Sequence, residues 1–202
     1  MAPVTDPDPG AARTAARLSA TLLSHVPPPG ESAEQLFVVM VKQDPRLPEE
    51  AVYILVTPPR LTAAQYRVMH VKARDSVAFR VDAAEADVTE APIDGELTHA
   101  LVQSWGAMTL GARWPEREDR IGRTMKWPPG VEYTFDYRGD NVYGQGDTVS
   151  PSAGTCSAAL VNLCELLIQY ADERDPTKRG AIREELLRQS RALAARLTAR
   201  TP

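Results

Sequence analysis

Hydrophobic residues in the first two thirds of the chain fall into short runs that are typical of β-strands. Residues 36–41 and 52–56 are continuously apolar and rich in β-branched side chains, a pattern that predicts strands covered on both faces. Residues 131–137 alternate aromatic with polar side chains, which predicts a half-buried strand. Residues 62–65 could equally begin a short helix, but the following run is assigned as a strand. The expected strands are 36–41, 52–56, 65–72, 77–81 and 131–137.

Four other segments repeat their apolar residues at helical spacing. The first ends near Ser24, and the second begins at the N-cap residue Asp94 and runs to about Ala112. A helix near 155–171, capped by Thr155, is apolar on almost every side, which predicts that it is central and buried. An amphipathic helix forms the C-terminus. The side chains expected to be most deeply buried are those of Leu163, Leu167 and Ile168.

These elements predict an α+β fold, with a mostly antiparallel sheet of about four to five strands packed by helices. The chain has 202 residues, enough to bury a core without metal or disulfide crosslinks. Residues 1–9 carry three prolines and two aspartates and no apolar period, so we expect a flexible tail there. Residues 10–202 are expected to form a single globular domain.

Composition and charge exclude some classes of protein. The formal net charge of −4 argues against a nucleic-acid binder, which needs a basic face to neutralise phosphates. The N-terminal residues lack a signal-peptide pattern and no apolar run is long enough to span a membrane, so a cytoplasmic protein is expected. Cys156 and Cys164 would lie about 12 Å apart on one helix, too far for a disulfide, which suits a reducing compartment. Only four of the 23 basic residues are lysine, a usage typical of GC-rich bacterial coding.

Residues 138–154 contain four glycines and are expected to form a long loop at the rim of the main concave site. The loop leads into the predicted helix at Thr155, whose N-terminal amides and dipole could hold a small anionic ligand. The candidate binding residues are Tyr143, Gln145, Asp147, Thr155 and Cys156.

Cys156 could also act as a catalytic nucleophile, because a helix N-terminus lowers the pKa of a thiol. Such a site needs a base, and the histidines are His25, His70 and His99, none of which is marked out by its sequence context. The alternative interpretation of Cys156 is a small buried apolar residue.

Oxygen ligands near the glycine-rich segment match no known metal-binding spacing. Asp136, Asp140, Asn141 and Asp147 lack the alternating pattern and closing glutamate of a calcium loop, and turn formation explains them better. No metal or cofactor is therefore expected.

Two segments have opposite charge. Residues 80–96 are acidic and residues 183–200 are basic. Solvation of a surface explains each segment, although the acidic one could also steer a basic partner.

Taken together, these patterns favour a non-enzymatic binding or adaptor protein of a bacterial cytoplasm, of the immunity, chaperone or assembly-factor type. Its partner would be another protein or a small anionic ligand. The alternative is a small cysteine-dependent hydrolase or transferase that uses Cys156.

Overall fold

The computed structural model describes residues 37–43, 50–57, 65–74, 85–111, 131–139 and 142–199. Within these ranges the chain forms six β-strands and three α-helices. The strands are β1 (Phe37–Gln43), β2 (Glu50–Thr57), β3 (Gln65–Ala73), β4 (Ala86–Ile93), β5 (Glu132–Gly139) and β6 (Val142–Val149). The helices are α1 (Gly95–Gly111), α2 (Cys156–Asp172) and α3 (Pro176–Thr198).

All six strands belong to one antiparallel sheet, in the order β4-β3-β2-β1-β5-β6. β4 and β6 therefore form the two edges. The predicted α+β class, with an antiparallel sheet and packed helices, agrees with this architecture, whereas the number of strands differs from the expected four to five.

One face of the sheet carries the core beneath the helices. Because side chains alternate along a strand, Val52 and Ile54 of β2 share this face with their register partners on β3, His70 and Val68. α2 packs across β2, β3 and β4, while α1 packs on β5 and β6. α3 contacts both of these helices and forms the outer layer.

α1 approaches the sheet closely above β5. Trp105 is fully buried and its ring meets that of Phe135 edge-on, with centroids 5.7 Å apart and an interplanar angle of 74°. One residue further on, a Cβ at Gly106 would lie 3.3 Å from the ring of Tyr137. The lack of a side chain at Gly106 therefore lets the helix backbone rest on that ring.

The opposite face of β2 and β3 is also buried. Ala51 and Val71 are fully buried although they alternate with the residues of the helix-covered face, and they lie outside its core cluster. Burial of Ala51 and Val52 shows that the start of β2 is covered on both faces, while for the rest of 52–56 this stays a prediction.

Most of the predicted elements that fall on described residues are confirmed, with small shifts at their ends. Asp94 caps α1, since its carboxylate accepts the Leu97 amide at 3.0 Å. Thr155 caps α2 by accepting the amide of Ala158. The predicted helix before Ser24, the strand at 77–81 and the tail at 1–9 lie outside the described residues.

The expected loop at 138–154 is wrong over most of its length, because residues 142–149 form strand β6. Gly144 and Gly146 pair with Tyr137 and Phe135 in the β5–β6 ladder. Glycine normally weakens a strand, and here the long ladder with an aromatic-rich neighbour outweighs that preference. Strand β4 was not anticipated, because its sequence is polar and contains a proline.

The central position of α2 makes a stability prediction. Leu167 is fully buried between the sheet and α3, so Leu167→Ala should lower the free energy of unfolding by about 2–5 kcal/mol. Leu166→Ala is the matched control. The Leu166 side chain is only half-buried, so this substitution should lower the free energy of unfolding by less. Urea denaturation measures both variants, and equal losses would contradict the burial of this helix face.

Candidate functional site

The outer edge of β4 exposes backbone groups that the sheet does not use. The Arg74 amide donates to the Glu85 carbonyl at 2.9 Å, so this pair is hydrogen-bonded across the β3–β4 ladder. Because such pairs alternate along an antiparallel ladder, the backbone groups of Ala86, Val88 and Glu90 point away from β3. Among the described residues no further strand pairs with them.

One end of this edge is closed. Pro92 also belongs to the outward-pointing set, and it has no amide hydrogen to offer a neighbouring strand. Its carbonyl is already occupied, because the Tyr170 hydroxyl donates to it at 2.7 Å. The guanidinium of Arg179 lies 5.9 Å from the centre of the Tyr170 ring. The open part of the edge therefore runs from Ala86 to Glu90.

Side chains along the open part are exposed, and the charged ones are paired within the protein. Val88 is 42% exposed, which is unusual for a large apolar residue of this structure. Arg67 binds Glu90 at 2.9 Å, and Arg74 binds Asp87 at 2.7 Å. The hydrogen bond to Asp87 is the main reason that the pKa of Arg74 is raised. Glu85, which Arg74 binds at 2.7 Å, raises it further.

A buried histidine connects this edge to the end of α2. His70 lies on β3 with its side chain only 7% exposed, and its Nδ1 is 2.9 Å and 3.1 Å from the two carboxylate oxygens of Asp172. Thr89, the register partner of His70 on β4, donates its hydroxyl to the same carboxylate. The Asp172 side chain is 44% exposed, so its carboxylate reaches solvent beside the edge.

This arrangement holds Asp172 in a defined position. Contacts with Nδ1 of His70 and with the Thr89 hydroxyl orient the Asp172 side chain. Within the described part of the chain, Nε2 of His70 is buried without a hydrogen-bond partner. The cluster can therefore orient a carboxylate, and a solvent-reaching carboxylate recognises cations and hydrogen-bond donors.

The end of the acidic segment identified in the sequence pairs with the basic segment. Arg183 of α3 binds Asp94 at 2.6 Å and Glu96 at 2.8 Å, and Arg191 binds Glu96 at 2.7 Å. The hydrogen bond from Arg183 is the main reason that the pKa of Asp94 is lowered, and also that of Glu96. Asp94 and Glu96 are thus engaged by the basic segment, whereas Glu85, Asp87 and Glu90 lie at the β4 edge beside Arg67 and Arg74.

The predicted site residues on β6 lie at a different edge of the sheet. Tyr143, Gln145 and Asp147 occupy alternate positions of β6, between positions that pair with the buried aromatic row of β5. These positions therefore belong to the face of the sheet opposite the aromatic row of β5. A binding role for them stays a prediction.

Thr155 and Cys156 lie at the beginning of α2. The hydroxyl of Thr155 accepts a hydrogen bond from the Ala158 amide, which is one of the helix N-terminal amides that would bind an anion. Cys156 is buried in the core cluster. About 24 Å of helix, at 1.5 Å per residue, separates Cys156 from Asp172 at the other end of α2. His70, which contacts Asp172, is thus too far away to act as the base for Cys156.

Sequence reasoning missed the residues of the β4 edge and of the histidine cluster. His70 and Asp172 are 102 residues apart, so no local pattern connects them. One signal for the edge was available: acidic residues and a proline within a short alternating segment are typical of an edge strand.

Comparisons with protein-family models, with curated proteins and with solved structures found no match for this chain. In the described ranges, each helix is too short or too polar to cross a membrane.

The network around Arg183 predicts a pH dependence of stability. The folded-state pKa of Asp94 is lowered, so its contribution is present above the unfolded pKa of about 3.9 and is lost as the pH falls through the folded value. Asp94→Asn keeps the helix cap but removes the charge, and should cost less than about 1 kcal/mol because the pair is partly exposed. The difference in unfolding free energy from the wild type should be full at pH 6 and should shrink as the pH falls below the unfolded pKa of about 3.9.

The control is Asp175→Asn, which changes the N-cap of α3 outside this network. It should leave the pH dependence due to Asp94 in place. A wild-type advantage over Asp94→Asn that does not decrease between pH 6 and pH 2 would contradict the assignment.

The thiols provide a test of the cysteine-enzyme alternative. Burial raises the pKa of Cys164, and Cys156 is also buried. Both should therefore react slowly with iodoacetamide at pH 7.5 in the folded protein and quickly after unfolding in guanidinium. Rapid, selective alkylation of Cys156 in the folded protein would instead support a nucleophile there.

Proposed function

We propose that this chain is a non-enzymatic binding protein that takes up an extended segment of another protein by strand addition along β4. The observation that carries the proposal is the open run of outward-pointing backbone groups from Ala86 to Glu90, with the exposed Val88 at its centre. An adaptor of the immunity, chaperone or assembly-factor type is the class that this geometry supports best.

Strand addition uses backbone hydrogen bonds for affinity and side-chain contacts for specificity. The outward amide and carbonyl groups of Ala86, Val88 and Glu90 are the donors and acceptors that an added strand requires. Each such bond adds about 0.5–1.5 kcal/mol net, so three paired residues support a weak and reversible complex rather than a permanent one.

The closed end of the edge gives the complex a fixed register. An added strand cannot continue past Pro92, where the amide hydrogen is missing and Tyr170 occupies the carbonyl. A partner segment of about five residues matches the remaining length. A short edge with one closed end also limits uncontrolled pairing with other chains, which a long open edge would invite.

The test changes the outward amide of β4 without touching its ladder to β3. Val88→Pro removes an amide hydrogen that points away from β3, so the sheet should persist while strand addition fails. Val88→Thr is the matched control, because it keeps the amide and a β-branched side chain of similar size. The probe is a fluorescein-labelled heptapeptide of alternating threonine and valine, followed by fluorescence anisotropy.

We expect Val88→Pro to weaken binding of this peptide at least tenfold and Val88→Thr to leave it within about twofold. Amide hydrogen exchange in the wild type should slow at Ala86, Val88 and Glu90 when the peptide is saturating. Equal binding by both variants, or protection confined to other strands, would show that β4 is not the binding edge.

A further inference from the structure

The side chains around the open edge differ between its two faces. Ala86, Val88 and Glu90 alternate with Asp87 and Thr89, so the second pair lies on the helix-covered side of the sheet. Beside Thr89 on that side stands the carboxylate of Asp172. A strand added to β4 would thus meet Val88 and the arginine-bound Glu90 on one face, and the carboxylates of Asp87 and Asp172 on the other.

The charges at the edge do not balance. Three carboxylates, those of Glu85, Asp87 and Glu90, are paired with the guanidinium groups of Arg67 and Arg74, and the carboxylate of Asp172 contacts His70 and Thr89. Among these described residues the four carboxylates outnumber the two guanidinium groups by two. An approaching cationic segment is therefore attracted, and an acidic one is repelled.

Asp172 is the carboxylate best prepared to bind a cation. Its nearest polar contacts are His70 and Thr89, which fix its position, whereas Asp87 and Glu90 are already bound by arginines. The residue of an added strand that faces Thr89 would form a non-hydrogen-bonded pair with it, the arrangement in which opposite side chains lie closest. A lysine or arginine at that position reaches the exposed part of the Asp172 carboxylate.

Building on the proposed function, we propose that the partner is an extended protein segment that alternates basic with apolar residues, and that Asp172 recognises a basic side chain of it. The apolar residues lie against Val88, and the basic ones lie on the side of Asp87 and Asp172. His70 and Thr89 act as positioning residues that hold the Asp172 carboxylate toward the edge.

The test compares three heptapeptides that share their valines and carry lysine, threonine or glutamate at the alternate positions. Wild-type protein should bind the lysine peptide more tightly than the threonine peptide and the glutamate peptide most weakly. Asp172→Asn should weaken binding of the lysine peptide about two- to fivefold, as expected for a partly exposed ion pair, and leave the threonine peptide unchanged. The preference for lysine should largely disappear in 1 M salt, where the Debye length is about 3 Å.

A second variant and a second measurement keep the two proposals separable. Thr89→Val removes the hydroxyl that donates to Asp172 and leaves the Asp172 carboxylate in place. It should therefore reduce the preference for the lysine peptide by less than Asp172→Asn does. If Asp172→Asn weakens all three peptides equally or none, the partner class is wrong, while the contrast between Val88→Pro and Val88→Thr still decides strand addition. If Val88→Pro binds every peptide as the wild type does, the proposed function itself is wrong.

Self-association is the competing occupant of the edge. Sedimentation of the wild type should show a monomer at micromolar concentration, because a second copy brings its own excess of negative charge to the edge. A concentration-dependent dimer that Val88→Pro abolishes would assign the edge to a second copy and overturn the basic partner.

Discussion

The alternation of side chains along antiparallel strands is the constraint on which the rest of this structure depends. It places Val52, Ile54 and Val68 on one face of the sheet, where α2 packs over them. The helices cover a face of the sheet and leave its edges without a neighbouring strand. In the described sheet β4 has a neighbour on one side only, so its outer edge is open.

α2 connects the core to that edge. Its middle is buried through residues such as Leu163 and Leu167, whereas its last turn carries Tyr170 and Asp172, which contact β4. One helix thus both stabilises the fold and anchors the outermost strand. A change at Asp172 would affect β4 more than the core, because this side chain is 44% exposed and contacts His70 and Thr89.

The sequence predicted those elements whose apolar pattern is set by the core. The runs at 52–56 and 155–171 are recognisable because burial on both sides of an element demands continuous apolar residues. β4 and β6 escaped prediction for the opposite reason: edge strands meet a neighbour on one side only, so polar residues, glycine and proline are tolerated in them. The part of the fold that is exposed enough to bind is also the part whose sequence departs most from a strand pattern.

The candidate site was even less accessible to sequence reasoning, because its members come from distant parts of the chain. His70, Thr89 and Asp172 meet only after β3, β4 and α2 have packed. The pairing of Asp94 with Arg183 shows the same limit, since two segments that look like separate charged surfaces in the sequence meet in the fold.

An edge strand that serves in binding has to be open without being adhesive. Charged side chains on both sides of Val88 discourage pairing with arbitrary apolar strands, and Arg67 and Arg74 partly neutralise these charges in the free protein. Pro92 and Tyr170 close the end at which pairing could otherwise extend toward α1. The open part of β4 is a short stretch of backbone that carries the apolar Val88. Beside it lies the Asp172 carboxylate, which His70 and Thr89 orient. Such a stretch gives too little energy to bind any strand tightly, so side-chain complementarity decides which segment stays.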